Sequence, residues 1–168
     1  MRWLAPAEMR AWLSYLAGST LLEGALDRQL QRDSGMPHTY YRILVILQSA
    51  PEQTLRMSDL ANLLRSSQSR LSHAVSKLEG NGWVCRRQCP DDRRGTLATL
   101  TGQGEAALAA AAPGHVRTVR EVLFDRLTPE QVDQLAEIWG RVLDGLQPGR
   151  PGEISLPDAV RRGIDATG

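Results

Sequence analysis

Lysine is nearly missing from this chain. Of its 20 basic residues only Lys77 is a lysine, a bias of genome composition rather than of chemistry. Two cysteines, Cys85 and Cys89, cannot build a disulfide framework, so a reducing compartment is the simpler home. Aromatic residues are sparse at 5%. No apolar run approaches the roughly 18 residues of a membrane span. The opening Met1-Arg2-Trp3-Leu4-Ala5-Pro6-Ala7-Glu8 lacks the apolar stretch of a signal peptide, and a cytoplasmic location is expected. A surplus of one charge sign is also missing: the net charge of +1 names no partner by itself. There is no Gly-rich phosphate loop, no nucleophile–base set and no metal-ligand spacing among His38, His73 and His115. No enzyme, cofactor or metal is expected. What remains is an ordinary composition, 42% apolar and 23% charged, in 168 residues: about one globular domain with a real core.

The even charge balance hides an asymmetry. Between Arg56 and Arg94 the chain carries eight basic residues against four acids, a surplus of +4 that leaves −3 for the rest. A basic middle between acidic flanks is the footprint of a nucleic-acid-binding module on a neutral scaffold. It is equally the footprint of a solvated face, so the motifs must decide.

Apolar periodicity predicts a long helix over 8–33 (Trp12, Leu13, Leu16, Leu22, Leu26, Leu30), stopped by Gly35-Met36-Pro37. Thr39 is the expected cap of a second helix over 40–49. Leu55-Arg56-Met57 reads as a single extended segment. Ser58 is the expected cap of a short third helix, and Arg65-Ser66-Ser67 a turn. Ser67 then caps a fourth helix, Gln68 to Glu79, that stops at Gly80-Asn81-Gly82. Two short strands follow, 84–88 and 96–100, around a turn-rich tip from Cys89 to Gly95. Thr101 caps a helix over 102–126, which Pro113 is expected to kink or break. Thr128, Pro129 and Gln131 form a capping box for the last helix, whose stripe is Val132, Leu135, Ile138, Trp139, Val142, Leu143 and Leu146. The Pro- and Gly-rich stretch 147–168 reads as a loose tail.

Two short helices and a tight turn, followed by a basic hairpin, are the order of a winged helix-turn-helix. At 100° per residue, Leu71, Val75 and Leu78 share one side of the fourth helix. Ser69, His73 and Ser76 lie opposite, with Arg70 and Lys77 at one edge and Ser72 at the other. That face is small, polar and basic. Short side chains allow close approach to a major groove, and Arg and His can donate to guanine edges. An Arg at the hairpin tip can reach a narrow minor groove, held in pose by an adjacent Asp. By itself the Asp-rich tip reads as well as a solvated turn.

Three segments carry a resemblance: Leu78-Glu79-Gly80-Asn81-Gly82-Trp83-Val84, Pro90-Asp91-Asp92-Arg93-Arg94-Gly95 and Leu100-Thr101-Gly102-Gln103-Gly104. In residues and spacing they resemble the signature of MarR-type regulators, and the layout resembles that family over residues 8–146. The resemblance implies a mainly α fold with a small β-hairpin wing: a winged helix-turn-helix plus helical dimerisation arms. It divides the chain into 8–53 (dimerisation helix and second helix), 54–100 (DNA-binding module), 101–146 (dimerisation helices) and the tail. It implies a bacterial, homodimeric regulator of transcription, a repressor by expectation, on double-stranded DNA. Gln68, Ser69, Arg70, Ser72, His73, Ser76 and Lys77 would face the major groove, with Ser67 binding phosphate at the helix N-terminus. Arg94 would enter the minor groove, Asp92 would orient it and Arg93 would lie near the phosphates.

Members of this family often bind a small aromatic or phenolic anion, and Trp12, Tyr15, His38, Tyr40 and Tyr41 are the residues here suited to line such a site. Core and interface packing suits each of them equally. Arg86 and Arg87 between Cys85 and Cys89 could lower a thiol pKa and make a redox sensor, although a buried apolar Cys85 and a turn Cys89 is the simpler reading. A winged helix that binds only protein would share the fold without needing the serine and arginine face.

Overall fold

In the computed structural model of the chain, residues 1–89 and 92–146 are described, with 92–94 described as backbone alone. Six helices and one small sheet follow in the order α1 (Pro6–Ser34), α2 (His38–Ser49), β1 (Thr54–Arg56), α3 (Met57–Leu64), α4 (Gln68–Gly80), β2 (Val84–Cys89), β3 (Asp92–Leu100), α5 (Gly102–Val122) and α6 (Pro129–Leu146). The chain is mainly helical. Its antiparallel sheet has the strand order β1-β3-β2.

The stop of α1 is as the sequence predicts. Gly35 is left-handed at φ 61°, its N–H bonds to Gln31, and the N–H of Met36 reaches back to Leu30. The start of α2 differs. Thr39 is not the cap: the helix opens at His38 behind Pro37 without a side-chain cap. The carboxylate of Asp27 on α1 instead accepts the backbone N–H of His38 at 2.8 Å, a tertiary bond no local pattern announces. Ser58 is not a cap either. Strand β1 runs straight into α3, which begins at Met57 and leaves Ser58 inside the first turn. Ser67 does cap α4, accepting the N–H of Arg70, and Thr101 caps α5, accepting that of Gly104. The box at α6 is also as expected, with Thr128 and Gln131 bonded reciprocally.

Pro113 sits inside α5 without ending it. Proline removes a single ladder bond, and packing against α1 holds the helix together. Next to it, a Cβ at Gly114 would come within 2.8 Å of Gln29 Nε2, so glycine permits the close approach. Helix α5 does end early, at Val122, and residues 124–126 form a separate tight turn. The extended segment at 54–56 is a third strand. It pairs Thr54 with Thr99 and Arg56 with Leu97, covering an edge of β3 that would otherwise lie open. The expected tail, 147–168, lies outside the described residues.

The core gathers Leu30, Met36, Ile43, Leu44 and Leu47 with Leu60, Leu71, Val75, Leu78, Val84 and Leu100. It therefore fixes the apolar side of α4 against α2, α3 and the sheet. The end of α4 is fastened to α5 by the turn between them. Gly82 is left-handed at φ 73°, its carbonyl accepts the Thr101 hydroxyl at 2.6 Å, and the Thr101 N–H bonds to the Trp83 carbonyl at 3.0 Å. Gly104 lies directly on that carbonyl. At the junction of α2 and α5, the His115 ring packs 4.3 Å from Tyr41 and 5.5 Å from His38. Its Nδ1 is buried without a hydrogen-bond partner among the described residues. Burial, aided by His38, lowers the His115 pKa to about 4, against a weaker upward pull from Glu23.

Two expectations follow for stability. A Cβ at Gly104 would stand 2.1 Å from the Trp83 carbonyl oxygen, whereas one at Gly102 meets nothing within 4 Å. Gly104→Ala is expected to cost about 1–3 kcal/mol in urea unfolding, and Gly102→Ala to be neutral or stabilising by up to about 1 kcal/mol. For His115 the unfolded chain takes up a proton near 6.5 and the folded chain only near 4. The stability it contributes is complete above about pH 6.5 and declines as pH falls toward 4. His115→Phe is expected to flatten that decline in denaturation midpoints measured from pH 7 to pH 4.5.

Candidate nucleic-acid interface

Helix α4 is two-sided. Leu71, Ala74, Val75 and Leu78 are buried, while Gln68, Ser69, Arg70, Ser72, His73, Ser76 and Lys77 are exposed on the remaining faces. Ser67, at the cap, is exposed as well. The structure thus brings all eight expected α4 residues to one continuous surface. The only acid of the helix, Glu79, is turned away from it. Its carboxylate accepts the backbone N–H of Arg86 at 2.9 Å and the Nε of Arg86 at 2.7 Å. Both side chains of this pair are largely shielded, at 28% exposure each.

The sequence pointed to Arg86 only as a neighbour of the two cysteines, yet it organises one flank of the site. From β2 its guanidinium also donates to the Ser76 hydroxyl at 2.9 Å and reaches the Ser72 hydroxyl at 3.5 Å. A bond to a charged group contributes about 1.5–3 kcal/mol, and partial exposure puts these toward the lower end. A serine hydroxyl has one donor and two acceptor positions. With Arg86 occupying an acceptor position, the O–H of Ser76 is left to donate outward. The Leu-Glu segment and the basic strand were both visible in the sequence. Their pairing across seven residues was not, because it depends on the turn at Gly82.

Between this flank of α4 and the sheet lies an open cleft of about 590 Å³, with Arg56, Ser58, Gln68, Ser69, Ser72 and Arg86 among its walls. The hairpin beyond it is longer than expected. Cys89 pairs with Asp92 after an irregularity at 88–89, so Asp92, Arg93 and Arg94 belong to the backbone of β3 rather than to a seven-residue tip. Their side chains, and residues 90–91, lie outside the described residues. Cys85 is exposed and Cys89 buried, the reverse of the simpler expectation, and both are free. Four residues along a strand separate them by about 13 Å, beyond the roughly 7 Å limit for a disulfide.

The five aromatic and histidine residues proposed for a ligand site do not meet. Trp12 and Tyr15 are exposed on α1, their rings 5.8 Å apart, with Trp139 of α6 5.2 Å from Tyr15. His38 and Tyr41 belong to the cluster around His115, whose part the sequence did not signal because 77 residues separate it from His38. Tyr40 packs half-buried against the core. Among the described residues no group of three His, Cys, Asp or Glu side chains could hold a metal ion.

A family model described as the MarR family matches residues 36–96, from just before α2 into β3. Among solved structures the chain is similar to Sco3205, a MarR family transcriptional regulator from Streptomyces coelicolor crystallised in complex with DNA. The two share 53% identity with a TM-score of 0.83, over 94% of this chain and 96% of that one. AbsC, a MarR family transcriptional regulator from the same organism, is 37% identical with a TM-score of 0.80, over 87% and 98%. The transcriptional repressor MprA of Escherichia coli (strain K12) is 28% identical over 128 residues, 76% of this chain and 71% of its own. With the fold, the Leu-Glu and Leu-Thr segments and near-complete coverage in agreement, this chain belongs to the MarR family of transcriptional regulators.

Proposed function

We propose that the protein is a homodimeric repressor that binds a pseudo-palindromic operator in double-stranded DNA. The observation that carries this reading is the exposed face of α4: seven polar or basic side chains, with its one acid drawn under Arg86. A helix about 10–12 Å across fits a major groove about 12 Å wide. Gln68, Ser69, Arg70 and His73 then meet base edges, and Ser72, Ser76 and Lys77 the groove walls. Ser67 at the helix N-terminus meets a phosphate. By family resemblance Arg94 enters the minor groove, Asp92 holds it in pose and Arg93 lies by the phosphates. The relatives support the direction: Sco3205 is crystallised with DNA, and MprA is named a repressor.

The dimer reading rests on surface that is costly to leave wet. No residue of α6 is buried, although Ile138, Val142 and Leu146 line one side of it, and Trp12, Leu13 and Leu16 are exposed on α1. A second copy would cover both. The segments 8–53 and 101–146 would then serve dimerisation, and 54–100 DNA. Two-fold symmetry sets the half-site centres about one helical turn apart, roughly 10 bp. A small aromatic anion would act on this dimer as a releasing ligand, with His38 and Tyr41 beside His115 the better placed of the five candidates. Chromosomal DNA as partner implies the cytoplasm, and no described helix is long and apolar enough to cross a membrane.

Ile138→Asp is expected to leave a monomer or insoluble protein, since an unpaired buried charge costs several kcal/mol; sedimentation equilibrium at micromolar concentration distinguishes this from the wild-type dimer. For DNA, duplexes selected by the wild-type protein from a random-sequence pool are expected to carry an inverted repeat. Against these, Arg70→Ala or His73→Ala is expected to cost about 1–3 kcal/mol and relax preference at one base position. Arg94→Ala should weaken binding to all selected duplexes alike and flatten the salt dependence by about one unit of slope. An unchanged salt slope for Arg94→Ala would remove the wing from the interface.

A further inference from the structure

The flank of α4 opposite Arg86 carries a second cleft, about 360 Å³ in volume, between α2, the α3–α4 turn and α4 itself. Its floor is Ile43, Leu71 and Ala74, all buried. Its rim holds three guanidinium groups, from Arg42, Arg65 and Arg70, and no lining residue is a carboxylate. All three arginines are exposed, and none has a side-chain hydrogen bond or ion pair among the described residues. Thr39 and Ser66 add hydroxyls.

Arg65 adds a separate observation. It ends α3 in the left-handed region, at φ 52° and ψ 38°, where glycine or asparagine would be less strained. A bulky charged side chain held there directs attention to function.

We infer that Arg42 and Arg65 contact adjacent backbone phosphates of the operator on the α2 side of the recognition helix, beside Arg70, which reaches past them to a base edge. This inference rests on the DNA reading above. A helix lying in the major groove has a phosphodiester strand along each wall. The Arg86 edge of α4 faces one wall, together with the hairpin. The other edge, at −100° to −120° from Leu71, carries Arg70 and Lys77 and faces the second wall. Arg42 and Arg65 stand behind that edge and extend it toward α2. Phosphate asks for cationic donors and no sequence-reading geometry. A rim of arginines above a buried apolar floor meets that need. The α2 arginine thereby becomes part of the DNA footprint, outside both the recognition helix and the wing.

The test uses the full chain, carrying Arg42→Gln and Arg65→Gln together, and the pool-selected duplexes. Both side chains are exposed, so the melting midpoint should be unchanged; if it falls, Arg42→Gln alone is read in the same way. The expected result is weaker binding to every selected duplex and to each of its single-base variants by the same factor. The salt slope should flatten by about one unit for each guanidinium removed. Arg42→Lys, which keeps the charge, should retain most of the wild-type slope. An unchanged slope in a variant that binds overturns the inference alone, as does a loss that depends on base identity. Failure of the wild-type protein to select any duplex overturns the DNA reading and this inference with it.

Discussion

The contact between Glu79 and Arg86 decides what α4 can present. A helix followed by a tight turn and a strand could leave its last acid in solvent, where it would repel phosphates. Here the carboxylate accepts both the backbone N–H and the guanidinium of Arg86. The pair fastens α4 to β2, neutralises the only acid of the helix, and leaves guanidinium donors for Ser72 and Ser76. The polar face of the helix, the pitch of the hairpin beside it and the cleft between them all depend on this one arrangement.

A second constraint couples the module to the helical arms. The Thr101 hydroxyl, the Gly82 carbonyl and the backbone of Trp83 and Gly104 meet with no spare volume. Gln53 of the loop before β1 also donates to Glu105 on α5. These contacts tie the C-terminal end of α4, the base of the hairpin and the start of α5 into one joint. That joint leaves no slack between the end of α4 and the start of α5. The His38–Tyr41–His115 cluster sits further along the same helix, at its contact with α2.

The two flanks of α4 are built differently. One is a network in which an arginine is already satisfied by the protein. The other is a row of arginines without protein partners among the described residues. The first holds geometry and the second offers charge, a division that suits the contact with DNA proposed above.

Much of this was legible in the chain. Helical periodicity with Gly35, Ser67, Thr101 and the Thr128–Gln131 box located α1, α4, α5 and α6, because those signals act within one turn of the residue that carries them. The buried side of α4 followed from a 100° step, and its exposed face from the remainder. What failed locally was overruled by a distant partner. Asp27 replaced Thr39 as the cap of α2, α1 carried α5 past Pro113, and β3 recruited residues 54–56 as a strand. The interaction of Arg86 with Glu79, the joint at Gly104 and the arginine rim over Ile43 share that reason. Each joins groups from different elements, so the residues were all present in the sequence, but only the folded path of the chain decided which of them would meet.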